Sequence, residues 1–164
     1  MASLGHLAVG FCTARARRSR VAGWLAWPAL ALAADLDVIG FRFGVPYAAP
    51  FGHRGATHSI AFAALLGVIA GLVARKPRVG LIAFAVALTH PLLDALTDGG
   101  LGVALFWPFS NARYFAPWRP LPVAPIGTRL LSSHGFRVMA IELVMFLPLF
   151  LWAFWPSRSG TKRS

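Results

Sequence analysis

Four long apolar runs limit what this chain can fold into. They cover residues 21–39, 58–74, 79–97 and 138–155, and each is close to the length of a helix that crosses a lipid bilayer. Only 13% of the 164 residues are charged and 57% are hydrophobic, whereas a soluble domain carries about 25% charged residues. A soluble domain of this size could not hide so much apolar surface. We therefore predict an all-α integral membrane bundle with about four spans.

A shorter apolar segment, residues 2–14, precedes the four runs. It is too short to cross a bilayer alone, and its basic residues follow it, so we expect a short N-terminal helix and not a cleaved signal peptide. We predict a single membrane-embedded helical domain over residues 1–156. The polar remainder, residues 157–164, is expected to be a disordered basic tail.

Local signals refine the expected helices. Pro28 is expected to bend the first span. Pro91 removes a helical amide and disfavours helical geometry at His90, which predicts a kink or a break there. Thr57 is expected to cap the second span. His134 has no partner at helical spacing and is expected to be a loop residue.

The basic residues indicate how the chain lies in the membrane. The net charge is +11, but no nucleic-acid recognition motif accompanies it, so we do not expect a nucleic-acid partner. Instead, three short basic patches flank the apolar runs, as cytoplasmic loops do. This predicts a cytoplasmic carboxy terminus. The patches are Arg15/Arg17/Arg18/Arg20, Arg75/Lys76/Arg78 and Arg158/Lys162/Arg163.

Acidic residues are few and grouped. Of the five, Asp35 and Asp37 close the first span, and Asp94 and Asp98 lie near the end of the third. A carboxylate in a membrane segment is costly, so its presence indicates a site. A solvated helix end is the alternative for Asp35 and Asp37, but acids are disfavoured at a helix C-terminus. Either of these two could ligate a metal, with the other as a second ligand, an orienting group or a base.

Histidines lie where they could join these carboxylates. His90 and Asp94 are four residues apart and share a helix face, a spacing that can hold Zn²⁺, although a hydrogen-bonded pair is the alternative. His53 and His58 lie in the block Gly52–Ser59 before the second span, and either can ligate. With an outer amino terminus, His6 could reach the same depth, as a ligand or as a buried core histidine.

Arg54, between the two histidines, cannot bind a metal. It can stabilise a developing phosphoryl or carboxyl oxyanion, or it can anchor a lipid headgroup. The topology set by the basic patches brings all three clusters to the outer end of the bundle. Convergence of histidines and carboxylates there predicts a divalent metal ion, with zinc favoured.

Taken in order, these residues resemble the YdjM-like family of bacterial inner-membrane proteins, which is described as a family of metal-dependent hydrolases. The resemblance covers roughly residues 4–127. It implies a multi-pass protein of the inner membrane whose site uses the histidines and aspartates named above. The matching pieces are Gly5-His6-Leu7, Asp35-Leu36-Asp37, the block Gly52–Ser59, His90–Thr97 and Trp107-Pro108.

The ligand order His, Asp, His and His-x-x-x-Asp is also similar to part of that of zinc-dependent phospholipase C, which favours a phosphoester substrate. We therefore predict a membrane-bound metal-dependent hydrolase with Asp37 and Arg54 as catalytic residues. Its expected partners are membrane lipids and a small-molecule or lipid substrate at the outer face. A transporter or proton relay built from the same residues, or a protein with a purely structural metal, are the alternatives.

Overall fold

The computed structural model describes residues 3–156, and within this range it contains helices and no strand. The predicted tail, residues 157–164, lies outside the described residues. Five α-helices are joined by short turns and two long loops. The α-helices are α1 (Ser3–Ala16), α2 (Val21–Ala31), α3 (Ile60–Ala74), α4 (Pro77–Ala95) and α5 (Ser133–Phe154); 3-10 helices cover Ala33–Phe43, Ala56–His58 and Gly127–Leu131.

The helices alternate in direction, so one end of the bundle gathers the polar groups. α1 runs parallel to α5, because Leu4 N donates to Glu142 Oε2 (2.8 Å) and Arg15 Nη1 donates to the Ala153 carbonyl (3.2 Å). The ends of α2 and α4 meet where His90 donates to the Ala31 carbonyl. The starts of α1, α3 and α5 therefore lie at the same end as the finishes of α2 and α4. The basic turns lie at the opposite end.

The lengths of the helices bear on how many cross the membrane. α4 and α5 are long and apolar enough to span, and the pair Val21–Ala31 and Ala33–Phe43 would make a third, bent span. α3 has 15 residues and is about 22 Å long, short of the ~30 Å hydrocarbon core. The helical membrane bundle predicted from the sequence is confirmed, with two or three spans by length where about four were expected.

Apolar side chains cover the outside of the bundle. Val68 and Leu72 on α3 and Val144 and Leu151 on α5 are all more than half exposed. Side chains of this kind would be unfavourable in water but suit contact with lipid chains. The core, in contrast, is built largely from alanines, which let the helices approach closely.

The bend expected in the first span lies just after Pro28. This proline is inside α2, and the chain turns by 57° between α2 and the 3-10 helix that begins at Ala33. Asp35 and Asp37 therefore lie early in this second helix and not at the end of a span. The break predicted at Pro91 is wrong, because α4 continues through Pro91 to Ala95. A proline removes one hydrogen bond, and the buried packing of Pro91 and its neighbours holds the helix together there.

Candidate metal centre

The block Gly52–Ser59 forms a tight loop that carries three of the polar side chains of the site. A Cβ on Gly52 would collide with the carbonyl oxygens of Pro46 and Tyr47, and a Cβ on Gly55 with that of Pro50. Gly55 N donates to the Gly52 carbonyl at 2.9 Å. Only glycine permits this close approach of backbone segments. The two glycines thus set the geometry that aims His53, Arg54 and His58 inward.

Arg54 adopts a backbone conformation that is uncommon for a side-chain-bearing residue, with φ 63°. Two backbone hydrogen bonds stabilise it. Its N–H donates to Asp37 Oδ2 at 3.1 Å, and its carbonyl accepts from Ala104 N at 2.9 Å. From this position the Arg54 side chain reaches α4, which it meets at Asp94.

Asp35, His58, His90 and Asp94 form a buried cluster contributed by three elements, the 3-10 helices Ala33–Phe43 and Ala56–His58 and the helix α4. One ligand atom from each lies within 4.8 Å of all the others. Asp35 Oδ1 lies 3.4 Å from His90 Nε2 and 3.7 Å from His58 Nε2. His58 Nε2 in turn lies 3.5 Å from Asp94 Oδ2. We call these four residues the inner cluster.

The spacing within the inner cluster fits a tetrahedral metal centre. Four ligand atoms placed 2.0–2.1 Å from a zinc ion lie about 3.4 Å from one another, close to the distances above. At the distances found in the inner cluster, the ligand atoms are too far apart for good hydrogen bonds with one another. Asp35 Oδ1 and Oδ2, His58 Nε2 and His90 Nε2 are buried and have no hydrogen-bond partner among the described residues. These histidines and aspartates could hold a divalent metal ion.

The inner cluster also lacks positive charge. Apart from Glu142, which contacts the first turn of α1, three carboxylates, Asp35, Asp37 and Asp94, are buried at this end of the bundle, and Arg54 is the one buried cation among residues 3–156. With neutral histidines, two negative charges remain uncompensated. Buried charges without partners are strongly destabilising. A divalent cation would neutralise them.

His6 lies beside the inner cluster. Its ring stacks on that of His90, with the centroids 3.6 Å apart and the planes at 10°. Its Nε2 is 3.4 Å from Asp94 Oδ1. Neither ring nitrogen has a hydrogen-bond partner among the described residues. The N-terminal segment predicted to reach the depth of the site does so, and His6 packs against two members of the cluster.

Asp37 and His53 occupy a neighbouring position. Asp37 Oδ1 lies 2.7 Å from His53 Nδ1, and Asp37 Oδ2 accepts from Thr57 Oγ1 at 2.7 Å. Asp37 Oδ2 is also 3.1 Å from His58 Nδ1. Together, Asp37, His53 and His58 form a second group with metal-ligand spacing. Both oxygens of Asp37 are already engaged, however, as in a carboxylate that orients metal-bound histidines.

The Arg54 guanidinium lies against Asp94. Its Nε is 3.0 Å from Asp94 Oδ2, its Nη1 donates to the Gly99 carbonyl at 2.8 Å, and its Nη2 donates to Thr97 Oγ1 at 2.9 Å. Thr97 Oγ1 in turn donates to the carbonyl of Asp94 at 2.8 Å. Arg54 therefore fixes the orientation of one carboxylate of the inner cluster and ties it to the loop after α4.

A cavity of about 380 Å³ lies next to the cluster. Its polar lining includes His53, Arg54 and Tyr47, and the exposed Arg129 also contributes. Burial raises the pKa of the Tyr47 hydroxyl, so this group stays protonated and can donate a hydrogen bond. The cavity is large enough for a small ligand. It is the space from which a molecule could approach His53 and Arg54.

The chain matches the family described as YdjM inner membrane protein over residues 1–159. It belongs to the YdjM family. This confirms the resemblance drawn from the sequence motifs and extends it over almost the whole chain. The chain is also similar to a protein from Escherichia coli (strain K12) named inner membrane protein YbcI, with 42% identity over 127 residues that cover 73% of each chain. No solved structure matches the chain.

Sequence reasoning missed several residues that hold this site together. Thr57 was expected to cap α3, but its hydroxyl donates to Asp37 Oδ2. Ser59, which the sequence also offered as a cap, caps the helix by accepting from Phe62 N at 3.1 Å. Arg113, in a distant loop, donates to the carbonyls of His53, Tyr47 and Ala49. In the sequence, the one signal that Arg113 supports the site is its position among aromatic residues.

The structure also shows where Glu142 and His134 lie. Glu142 lies within an apolar helix and is buried, and it accepts from the first turn of α1, which carries His6. In the sequence, a single charge within an apolar run indicates a buried polar contact, but the sequence does not show which residue makes that contact. His134 is not in a loop but in the first turn of α5, where it is exposed.

Proposed function

We propose that this protein is a membrane-bound, metal-dependent hydrolase that acts on a phosphoester or lipid-like substrate at the outer face of the inner membrane. The observation that carries this proposal is the inner cluster: Asp35, His58 and His90 present buried, unpartnered ligand atoms at the spacing of a tetrahedral ion. Membership of a family of inner membrane proteins supports the location.

Asp35, His58, His90 and Asp94 would hold the ion, and imidazole with carboxylate favours zinc among divalent metals. When bound, such an ion supplies Lewis-acid polarisation of the phosphoryl group and a nucleophile at neutral pH. His6 packs on His90 and keeps its ring in place. Burial of all these side chains keeps bulk water from competing for the ligand positions.

The remaining polar residues position the cluster and the substrate. Asp37 orients His53 through one oxygen and contacts His58 through the other. This engagement favours an orienting role for Asp37 over the role of base that the sequence suggested. Arg54 holds Asp94 and also lines the cavity, where its charge would stabilise negative charge that develops on a phosphoryl group.

The distribution of polar residues argues for a site at one end and against a transport path. The buried polar residues of residues 3–156 lie at the end where α1, α3 and α5 begin, and even Glu142 contacts the first turn of α1. A proton relay or transporter would need polar groups through the membrane to the basic end. The same distribution is what a hydrolase that faces the outer side requires.

The test combines metal analysis with a substrate screen. The protein purified in detergent should contain about one zinc per chain and should hydrolyse a member of a panel of p-nitrophenyl phosphoesters and phospholipids. Chelation should abolish this activity, and zinc should restore it. A protein that binds zinc but hydrolyses no member of the panel would contradict catalysis and favour a structural metal. Purification without metal, and no uptake of added zinc, would overturn the metal site itself.

A further inference from the structure

We propose that the 380 Å³ cavity beside the inner cluster binds a single-chain amphiphilic phosphoester, with its anionic group between Arg54 and Arg129. The first part of its apolar chain would lie against residues 123–126. The reaction at this site rests on the function proposed above, but the binding does not and can be measured separately.

The charge of the cavity selects an anion. Among its lining residues are two arginines, Arg54 and Arg129, and no acidic residue. Contacts of Arg54 with Asp94, Thr97 and Gly99 engage three of its N–H groups, and a guanidinium has five. The second N–H group on each of Nη1 and Nη2 is the donor that we assign to a ligand in the cavity. A planar guanidinium with paired donors suits a phosphate.

Much of the cavity wall is apolar. It is lined by Val123, Ala124, Pro125 and Ile126 and by Phe41 from the 3-10 helix Ala33–Phe43. A hydrophilic ligand such as free phosphate would gain nothing from this wall. An alkyl chain attached to the phosphate would remove both its own apolar surface and the wall from water.

Size and surroundings limit the ligand further. Ligand cavities usually measure about 300–1,000 Å³, so 380 Å³ accepts a headgroup and the start of one chain but not a whole two-chain lipid. The helix that carries Phe41 also exposes Leu36 (64%), Ile39 (51%) and Phe43 (80%). This apolar surface offers the rest of the chain a path toward the bilayer, which favours a substrate that arrives from the membrane.

The probe for this proposal is radiolabelled dodecyl phosphate. Zinc-loaded protein is placed in nanodiscs of zwitterionic lipid, and protein-free nanodiscs correct for partitioning. We expect saturable binding at least about tenfold tighter than that of inorganic phosphate. Arg129→Gln should weaken binding of dodecyl phosphate about tenfold, as expected for the loss of a charged hydrogen-bond donor. The matched control is Arg119→Gln, because Arg119 is also an exposed loop arginine but stacks on Phe115 instead.

Two substitutions in the apolar wall of the cavity test the proposed contact with the alkyl chain. Ala124→Phe should fill the cavity and abolish binding of dodecyl phosphate, while zinc content, measured on the same sample, stays unchanged. Should Ala124→Phe fail to fold, Ile126→Ala provides the milder test. This substitution should weaken the binding of dodecyl phosphate and leave the binding of inorganic phosphate unchanged.

Several outcomes would overturn the proposal. One is unchanged binding of dodecyl phosphate in zinc-loaded Ala124→Phe, and another is equal affinity for dodecyl phosphate and inorganic phosphate in the unmodified protein. If Arg129→Gln and Arg119→Gln lose the same amount of affinity for dodecyl phosphate, the loss is a general effect of charge, and the subsite assigned to Arg129 is wrong.

Hydrolysis separates this inference from the proposed function. In that reaction water adds to phosphorus and the ester P–O bond breaks, which gives dodecanol and inorganic phosphate. Binding without hydrolysis of any phosphoester would support the subsite and overturn the hydrolase. Hydrolysis of soluble p-nitrophenyl phosphate, with no saturable binding of dodecyl phosphate, would support the hydrolase and overturn the subsite.

Discussion

Nδ1 of His90 lies 2.7 Å from the carbonyl oxygen of Ala31, the last residue of α2. A carbonyl can only accept a hydrogen bond, so Nδ1 carries a proton, and in the neutral ring Nε2 then keeps its lone pair. That Nε2 is 3.4 Å from Asp35 Oδ1. The end of α2 therefore holds His90 in the tautomer and the orientation in which imidazole binds a metal.

This relationship predicts the effect of His90→Gln. The substitution removes the nitrogen that faces Asp35, and we expect zinc affinity to fall at least about 100-fold, because a lost ligand should cost no less than the 10- to 100-fold typical of a lost supporting group. Zinc content after dialysis against a metal buffer measures the change. The control is His134→Gln, an exposed histidine on α5, which should keep its zinc. Equal zinc in both variants would exclude His90 as a ligand.

Asp94→Asn tests the carboxylate four residues further along α4. Its side chain lies between His6, His58 and Arg54, so the neutral amide should weaken zinc binding sharply while leaving the size of the side chain unchanged. Asp98→Asn removes the same charge from an exposed position, and its amide oxygen can still accept from Val123 N. Zinc stoichiometry should fall only in Asp94→Asn. Full occupancy in that variant, with native elution on size exclusion, would show that Asp94 is not required.

The sequence predicted the site better than it predicted the shape of individual helices. Histidines and carboxylates in apolar segments are costly wherever they lie, so their grouping could be recognised without a structure. The positive-inside rule then placed the groups at one end, and the direction of each helix agrees with that placement. This reasoning needs only charge and hydropathy, which are properties of the sequence itself.

What the sequence could not give depends on contacts between distant segments. The turn after α2 and the continuity of α4 through Pro91 each follow from packing that local propensity does not encode. The same holds for Arg54. Its motif marked it as important, but only the structure brings its guanidinium to Asp94, 40 residues later in the chain.

Arg54→Lys should therefore reduce metal binding as well as activity. Lysine keeps the charge but cannot contact Asp94, Thr97 and Gly99 at once. Loss of a group that orients a ligand typically lowers metal affinity 10- to 100-fold, and we expect a change of that size in a zinc competition assay. Arg42→Lys, at an exposed position, is the control. Unchanged zinc affinity with lost activity would restore a purely catalytic role for Arg54.

Gly55→Ala tests the loop that carries His53, Arg54 and His58. The added methyl group would collide with the carbonyl oxygen of Pro50, and overpacking of this kind costs roughly 1 to 3 kcal/mol. We expect a lower apparent melting temperature in a thermal-shift assay and lower zinc content. Gly40→Ala places its methyl group 3.3 Å from the Val45 side chain, which can move, so its effect should be smaller. A Gly55→Ala protein as stable as the parent would show that the loop can relax.

The orientation in the membrane can be tested at the two ends of the bundle. Lys76 lies in the basic turn between α3 and α4, and Ala112 lies in the loop after α4, which reaches the site through Arg113; both positions are exposed. In a Cys12→Ser background, Ala112→Cys should react with a membrane-impermeant maleimide in spheroplasts. Lys76→Cys should react only after permeabilisation, because basic turns stay in the cytoplasm. A phosphatase reporter fused after Ser164 should likewise be inactive. The opposite labelling pattern would place the inner cluster on the cytoplasmic side, and the substrate would then have to come from that side.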